Sequence, residues 1–302
     1  MNEQVKRLLV AGVAVPLAMA LVWDGGLPLV GLLVLLAVLG TREFFDLAER
    51  AGGRPLRGLG LLLAGLAPLM TWVWVAPVAD RPSVVESFVA ALLGPIWLWL
   101  PWPLAGILIP LIVLATVLFR RAPSERPVEA AGTTLLGPLY AGVLPSALLL
   151  IRFDAGPERS FGAMWLALFP FAVTWLGDSF AMWGGMLFGK RKLWPAVSPG
   201  KTWTGSVIGL IGGVVVAIAY VLVAPIPPGR PISILEAAAM GVVISIVAQI
   251  GDLVESVFKR AAGVKDSGGI LPGHGGVLDR LDSLYFVLPA VAVMFRVLEI
   301  GG

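Results

Sequence analysis

The chain has 302 residues, 58% of them hydrophobic and only 14% charged, with a mean hydropathy of +0.92. A water-soluble enzyme carries about 25% charged residues, so this composition excludes one and describes a protein of the bilayer. A net charge of +3 argues against a nucleic-acid partner, and the absence of cysteine excludes disulfides, thiolate metal sites and a cysteine nucleophile.

Apolar runs predict membrane segments near 8–23, 27–40, 58–79, 84–119, 134–151, 161–177, 204–224, 235–251 and 284–300. The 24 Pro and 37 Gly do not oppose this reading, because neighbouring membrane helices re-satisfy the backbone groups that they free. The first run, with Lys6 and Arg7 before it and Ala18-Met19-Ala20 near its end, has the outline of a cleavable signal peptide. A second apolar run follows within a few residues and no soluble domain comes after it, which favours an uncleaved span. The fourth run contains Leu100-Pro101-Trp102-Pro103, where a regular helix must break, so it is either two crossings or one crossing plus an interfacial piece. Loop charge arbitrates. Five segments, before residue 8 and at 41–57, 120–132, 178–203 and 252–283, hold 17 of the 22 Lys and Arg. Cytoplasmic loops are the basic ones, and strict alternation follows only if 84–119 crosses once. The expected fold is therefore an all-α, polytopic membrane helical bundle of about nine transmembrane helices, N-terminus inside and C-terminus outside. Residues 1–160 form a scaffold, and 161–302 carry the two unusual inside loops. Trp97, Trp99 and Trp102 fit an interfacial belt, and no internal repeat suggests a duplicated transporter.

The first unusual loop joins Asp178 to Gly189-Lys190-Arg191-Lys192 and Ser198-Pro199-Gly200-Lys201-Thr202-Trp203. A nucleotide-binding P-loop would need glycine where Pro195 stands, and is rejected. What survives is a turn whose N–H groups, with Lys201 and Thr202, hold phosphate oxygens; a basic loop that only enforces topology is the alternative. The second loop is more specific. Helical spacing puts Gln249, Asp252, Ser256 and Lys259 on one face, and ionisable residues at a membrane helix end turn toward protein or a water-filled cleft. The chain continues through Lys265-Asp266-Ser267-Gly268-Gly269 and Pro272-Gly273-His274-Gly275-Gly276 to Asp279-Arg280-Leu281-Asp282-Ser283. Two acidic faces thus meet across one glycine-rich turn. Mg2+ needs only a few carboxylate oxygens plus substrate phosphate and water, and Asp252 with Asp279 supplies that pair. Lys259, Arg260, Lys265 and Arg280 add charge for a polyanion. Blander roles stand beside these: Asp282 as a helix cap, His274 as a turn or supporting residue rather than a general base, and Lys265 with Asp266 as an internal ion pair.

Ser256-Val-Phe-Lys259-Arg260, Lys265-Asp266 and Pro272-Gly-His274-Gly-Gly276-Val-Leu-Asp279-Arg280-Leu-Asp282 resemble the signature of the phosphatidate cytidylyltransferases, or CDP-diacylglycerol synthases. Phe188-Gly189-Lys190 with Ser198–Trp203 is similar to that family's second motif, so the resemblance covers roughly residues 170–290. It implies a multi-pass protein of the bacterial inner membrane, with its site on the cytoplasmic side, that makes CDP-diacylglycerol and pyrophosphate from CTP and phosphatidic acid. It also implies that Asp252 and Asp279 bind Mg2+, that a monovalent cation such as K+ is a candidate second metal, and that Ser256 and Lys259 lie in the catalytic site. Ser198, Lys201 and Thr202 would contact nucleotide or phosphate, and Arg260, Lys265, Asp266, His274, Arg280 and Asp282 belong to the same substrate-binding motif. Asp178 matches as well, but Phe180 and Met182 stand where the family has small residues. The rivals are a CTP-using polyprenol kinase, or a synthase acting on ether lipids, and a secondary transporter. Membrane lipid is the only other partner implied; oligomeric state, a homodimer included, is left open.

Overall fold

The computed structural model describes residues 12, 16–75, 102–154, 156, 160–225, 232–270 and 275–300. Residues 16–24 end a first helix. Helix α1 (Leu27–Arg50) begins with a proline in its first turn and ends on Arg50, whose charge suits the carbonyl end of a helix. Then come α2 (Arg57–Val75) and α3 (Trp102–Arg120), and α4 (Pro127–Pro138) runs through a π-helical turn at Leu139–Val143 into α5 (Leu144–Asp154). Ser160 opens α6 (Phe161–Phe188) by accepting the Ala163 N–H at 3.2 Å. A two-stranded antiparallel hairpin, β1 (Lys192–Trp194) and β2 (Ser198–Thr202), leads into α7 (Trp203–Val223). A Ser233–Glu236 capping box starts α8 (Ile234–Ala261), and the short α9 (Leu278–Leu281) precedes α10 (Leu284–Val297).

Among the described residues, six helical stretches are long and apolar enough to cross a membrane: α1, α2, α4–α5, α6, α7 and α8. The chain is a multi-pass, helical membrane protein. The predicted segments at 8–23 and 84–119 lie largely or partly outside the described residues, and with them Trp97 and Trp99. The β1–β2 hairpin is a small departure from an all-helical chain. A larger difference is that α6 and α8, each 28 residues, run well beyond the predicted ends at 177 and 251. An apolar run marks where lipid ends; backbone hydrogen bonding continues past that point when the polar residues that follow have packing partners.

Polar ties define the two ends of the bundle. At one end the Arg121 guanidinium donates to the Arg54 carbonyl at 3.0 Å and Arg126 to Gly52 at 2.9 Å, so the close of α3 adjoins the α1–α2 turn. At the other, fully buried Arg152 donates to the Val22 and Trp23 carbonyls at 2.7 and 2.9 Å. There Arg296 also lies over Trp74, 5.5 Å from its ring centre. Helix α2 thus leaves the end to which α3 returns. Between the ends, Leu29, Trp72, Leu149, Phe169, Ile244 and Val291 form a wholly buried core. Helix α7 is pressed between α6 and α8 along Gly205, Gly209 and Gly213. A Cβ at Gly209 would stand 2.7 Å from the Ala181 Cβ, so the small-residue seam is what lets the backbones approach.

Candidate active site

Helices α6 and α8 both start at the Arg152 end and run toward the Arg54 end. At about 1.5 Å per residue, Asp178 follows about 26 Å of α6 and Asp252 about 27 Å of α8, close to the roughly 30 Å of a bilayer's hydrocarbon. The two carboxylates therefore come level where the apolar lengths finish. The β1–β2 hairpin, the start of α7 and the start of α10 meet them there.

These elements enclose a cavity of about 860 Å³, in the size range of small-molecule sites. Asp178, Asp252, Asp279 and Asp282 line it together with Lys192, Lys201 and Arg280. The Lys201 ammonium sits 2.6 Å from Asp252 Oδ2. Thr202 caps α7 by accepting the Gly205 N–H at 3.1 Å, and Thr202, Gly205 and Ser206 all face the cavity. The positive end of α7 is thereby turned on it, an arrangement suited to phosphate. Gln249 donates to the Ser206 carbonyl at 3.2 Å and fixes α8 against that end.

Asp279 is held on both oxygens. Lys259 donates to Oδ1 at 2.8 Å, while Ser267 N–H, Ser267 Oγ and Gly276 N–H converge on Oδ2 at 2.8, 2.9 and 2.9 Å. Burial would raise its pKa, but the hydrogen bond from Lys259, those from the Gly276 and Ser267 backbone, and the Lys259 charge together hold it down at about 2. Gly275 is required here, because its φ of +78° suits only glycine and a Cβ would stand 2.8 Å from Asp279 Oδ2. Asp282 accepts the Ser283 N–H at 2.7 Å and lines the cavity; Ser283, at the N-cap of α10, has no side-chain cap bond, so the expected capping role of Asp282 is not seen. Burial first, then the charge of Asp252, push it up to about 7, against that hydrogen bond and the charge of Lys259.

The remaining sequence candidates fall around this wall. Ser256, buried, donates to Asp252 Oδ1 at 3.4 Å from behind. Lys259 bridges Glu255 at 3.1 Å and Asp279 at 2.8 Å, and neither Ser256 nor Lys259 is on the cavity surface. Ser198, the first residue of β2, does not line the cavity. Arg260 donates to the Val197 and Val264 carbonyls at 3.1 and 3.0 Å and so ties the β1–β2 turn to the end of α8. Lys265 and Asp266 are exposed. His274 lies outside the described residues. Among the described residues no three His, Asp or Glu side chains form a ready-made metal cage.

Two carboxylates escaped the sequence reading. Glu255, wholly buried, is paired with Lys259; three residues after Asp252 and four before Lys259, it borders the face that the spacing selected. Glu43, on α1 and 2% exposed, accepts the Leu278 N–H at 2.9 Å and the Ser267 hydroxyl at 3.3 Å. Its only sequence signal was a carboxylate beside Phe44-Phe45 at the end of an apolar run.

The whole chain can be compared with known proteins at this point. Residues 5–298 match the model of the cytidylyltransferase family. A phosphatidate cytidylyltransferase of Haemophilus influenzae is 32% identical over 256 residues, 76% of this chain and 86% of that protein. One from Synechocystis is 29% identical over 95% of this chain and 94% of its own. One from Staphylococcus saprophyticus is 47% identical over 136 residues, 45% of this chain; the chain matches half the length of that relative. With the acidic cavity built from the same stretch that carries the motifs, and the match running almost end to end, the chain belongs to the cytidylyltransferase family.

Proposed function

We propose that the chain is a phosphatidate cytidylyltransferase, transferring the CMP unit of CTP to phosphatidic acid and releasing pyrophosphate. The observation that carries this reading is the cavity at the end of the apolar helices, lined by Asp178, Asp252, Asp279 and Asp282 together with Lys201, Arg280 and the start of α7. The similarity to relatives that bear this enzyme's name supports it. A site at that level lets CTP enter from water while acyl chains stay in lipid. The exposed Trp175, Met182 and Met186 on the cavity's α6 wall suit a lipid-facing opening.

The donor set fits a divalent cation. The acidic atoms that line the cavity are all hard carboxylate oxygens, from Asp178, Asp252, Asp279 and Asp282, the ligand chemistry that a divalent cation takes. Asp252 and Asp279 would hold Mg2+, and K+ is the candidate second ion. Bound there, a divalent cation would supply Lewis-acid stabilisation of the charge that develops during transfer. The chain's own groups do the rest. Lys201 and Arg280 neutralise the triphosphate, and the N–H groups at the start of α7 orient it. Lys259 and Ser256 set Asp279 and Asp252 from behind. An anionic oxygen of the lipid phosphate attacks the α-phosphorus in line as the bond to the bridging oxygen breaks, and pyrophosphate leaves with that electron pair. No proton has to be removed from the nucleophile, so no general base is needed.

The same reading places the basic Arg54 end in the cytoplasm of a bacterial inner membrane. Nine crossings, N-terminus inside and C-terminus outside, accord with α2 and α3 sharing that end. The test is turnover by purified protein with phosphatidic acid, Mg2+, with and without K+, and CTP labelled at the α- or γ-phosphate. Label from the α-position in lipid, with pyrophosphate in equal amount, is expected. Label from the γ-position would instead make the protein a lipid kinase.

A further inference from the structure

Glu43 belongs to α1, far in sequence from the acidic motif, and does not line the cavity. Its carboxylate is nevertheless enclosed by the glycine-rich turn. Oε2 accepts the N–H of Leu278, the residue just before Asp279, at 2.9 Å. The same oxygen lies 3.3 Å from the Ser267 hydroxyl, which is also 2.9 Å from Asp279 Oδ2. One hydroxyl hydrogen is thus shared between two carboxylates, one on α1 and one on the cavity wall. The turn is wound so closely on Glu43 that a Cβ at Gly268 would stand 2.5 Å from Oε1, and one at Gly276 2.5 Å from Oε2. Among the described residues Oε1 has no hydrogen-bond donor. A buried carboxylate with one oxygen unpartnered is costly for stability, whereas an apolar side chain of similar size would fill the space at lower cost. What a carboxylate supplies here is a fixed acceptor for both strands of the turn.

We infer that Glu43 is a positioning residue for cytidylyl transfer: it holds Ser267 and Leu278, the two groups that flank Asp279, and so sets the Asp279 carboxylate against Asp252. This rests on the enzymatic reading of the cavity, and it reaches substrate only through Asp279. Glutamine can keep an acceptor oxygen at the same point, whereas alanine removes it and aspartate is a methylene too short. Gly268→Ala would disturb the same contact from the opposite side.

The experiment measures Glu43→Gln, Glu43→Ala, Glu43→Asp, Gly268→Ala and the Glu43→Ala/Gly268→Ala double variant in two ways. One is steady-state turnover with CTP and phosphatidic acid; the other is amide hydrogen exchange of the substrate-free protein in detergent, over peptides covering 265–270 and 275–281. Glu43→Gln is expected to stay within about threefold of the parent in kcat. Glu43→Ala and Glu43→Asp are expected to lose at least about tenfold in kcat, with KM for CTP moving less than about threefold, as for a misplaced reacting group. Exchange should quicken in the two turn peptides and stay unchanged in α4–α7. Gly268→Ala should reproduce the loss, and the double variant should be no worse than Glu43→Ala, because both act through one contact. Equal loss in Glu43→Gln and Glu43→Ala, a uniform rise in exchange across all helices, or additive losses in the double variant would overturn the inference. So would parental kcat and turn protection in Glu43→Ala. The exchange measurement uses no substrate, so it can fail or succeed whatever reaction the cavity performs.

Discussion

At the cavity wall, single side chains carry opposite electrostatic burdens. Lys201 is the cation nearest Asp252 on the substrate side, at 2.6 Å. Replacing it with methionine keeps the length and removes the charge. Lys201→Met is therefore expected to lower kcat/KM for CTP by about a hundredfold, the usual scale for removing one charge-stabilising donor; steady-state kinetics across CTP concentrations would check this. Asp252→Asn is expected to abolish turnover while the protein stays in the membrane fraction, and near-parental turnover in that variant would remove the metal assignment. Asp282 gives a pH effect whose sign is fixed. Its folded pKa of about 7 lies above the ordinary 3.8, so between those values the folded state binds more protons than the unfolded one. Stability contributed at this residue is therefore lost as pH rises through that window. In thermal melts without divalent cation, Asp282→Asn is expected to gain on the parent as pH rises from about 4 to about 7 and to keep that gain above it. Parallel melting curves across that range would contradict the assignment.

Elements position these residues through backbone approach and through ties between loops. The seam of α7 against α6 depends on Gly209, where a Cβ would meet the Ala181 Cβ at 2.7 Å. Asp178 lies one turn before Ala181, so a shift of α6 there also moves a wall carboxylate. Gly209→Val is expected to cost about 1–3 kcal/mol, the usual penalty of overpacking, and to reduce turnover beyond what the melting temperature alone would suggest. Melting and turnover on the same detergent preparation would separate the two. Much of this level was legible beforehand. The placing of Asp252 where the apolar length of α8 finishes, and of Asp279 just before the next helix, followed from apolar lengths and spacing. Thr202 as a helix cap, and Arg260 as a strut reaching the Val197 carbonyl, did not, because both depend on a hairpin whose pairing leaves little trace in a stretch of three and five residues.

Across the whole molecule, one end gathers basic loops and the acidic cavity, and the other holds Arg152, Arg296 and Trp74. Because the chain has no cysteine, single cysteines can report sidedness without background. Lys190→Cys is expected to react with a membrane-impermeant maleimide only in inside-out vesicles, and Glu299→Cys only from the opposite face. Labelling of both from one face would break the nine-crossing topology.

The amino-acid order by itself determined that the chain lies in a bilayer, where its apolar lengths fall, and which short polar stretches stand out at their ends, because hydrophobic transfer and the cost of unpaired charge act on local composition. Only the tertiary structure decided which of those polar residues face the cavity and which stand behind it. Ser256 and Lys259 share the helical face of Asp252 by spacing, yet they sit beneath the wall, because Glu255 and the turn around Asp279 draw Lys259 inward. Glu43 is brought to that turn from more than two hundred residues away, and contacts of that separation depend on how helices pack, which no local pattern encodes.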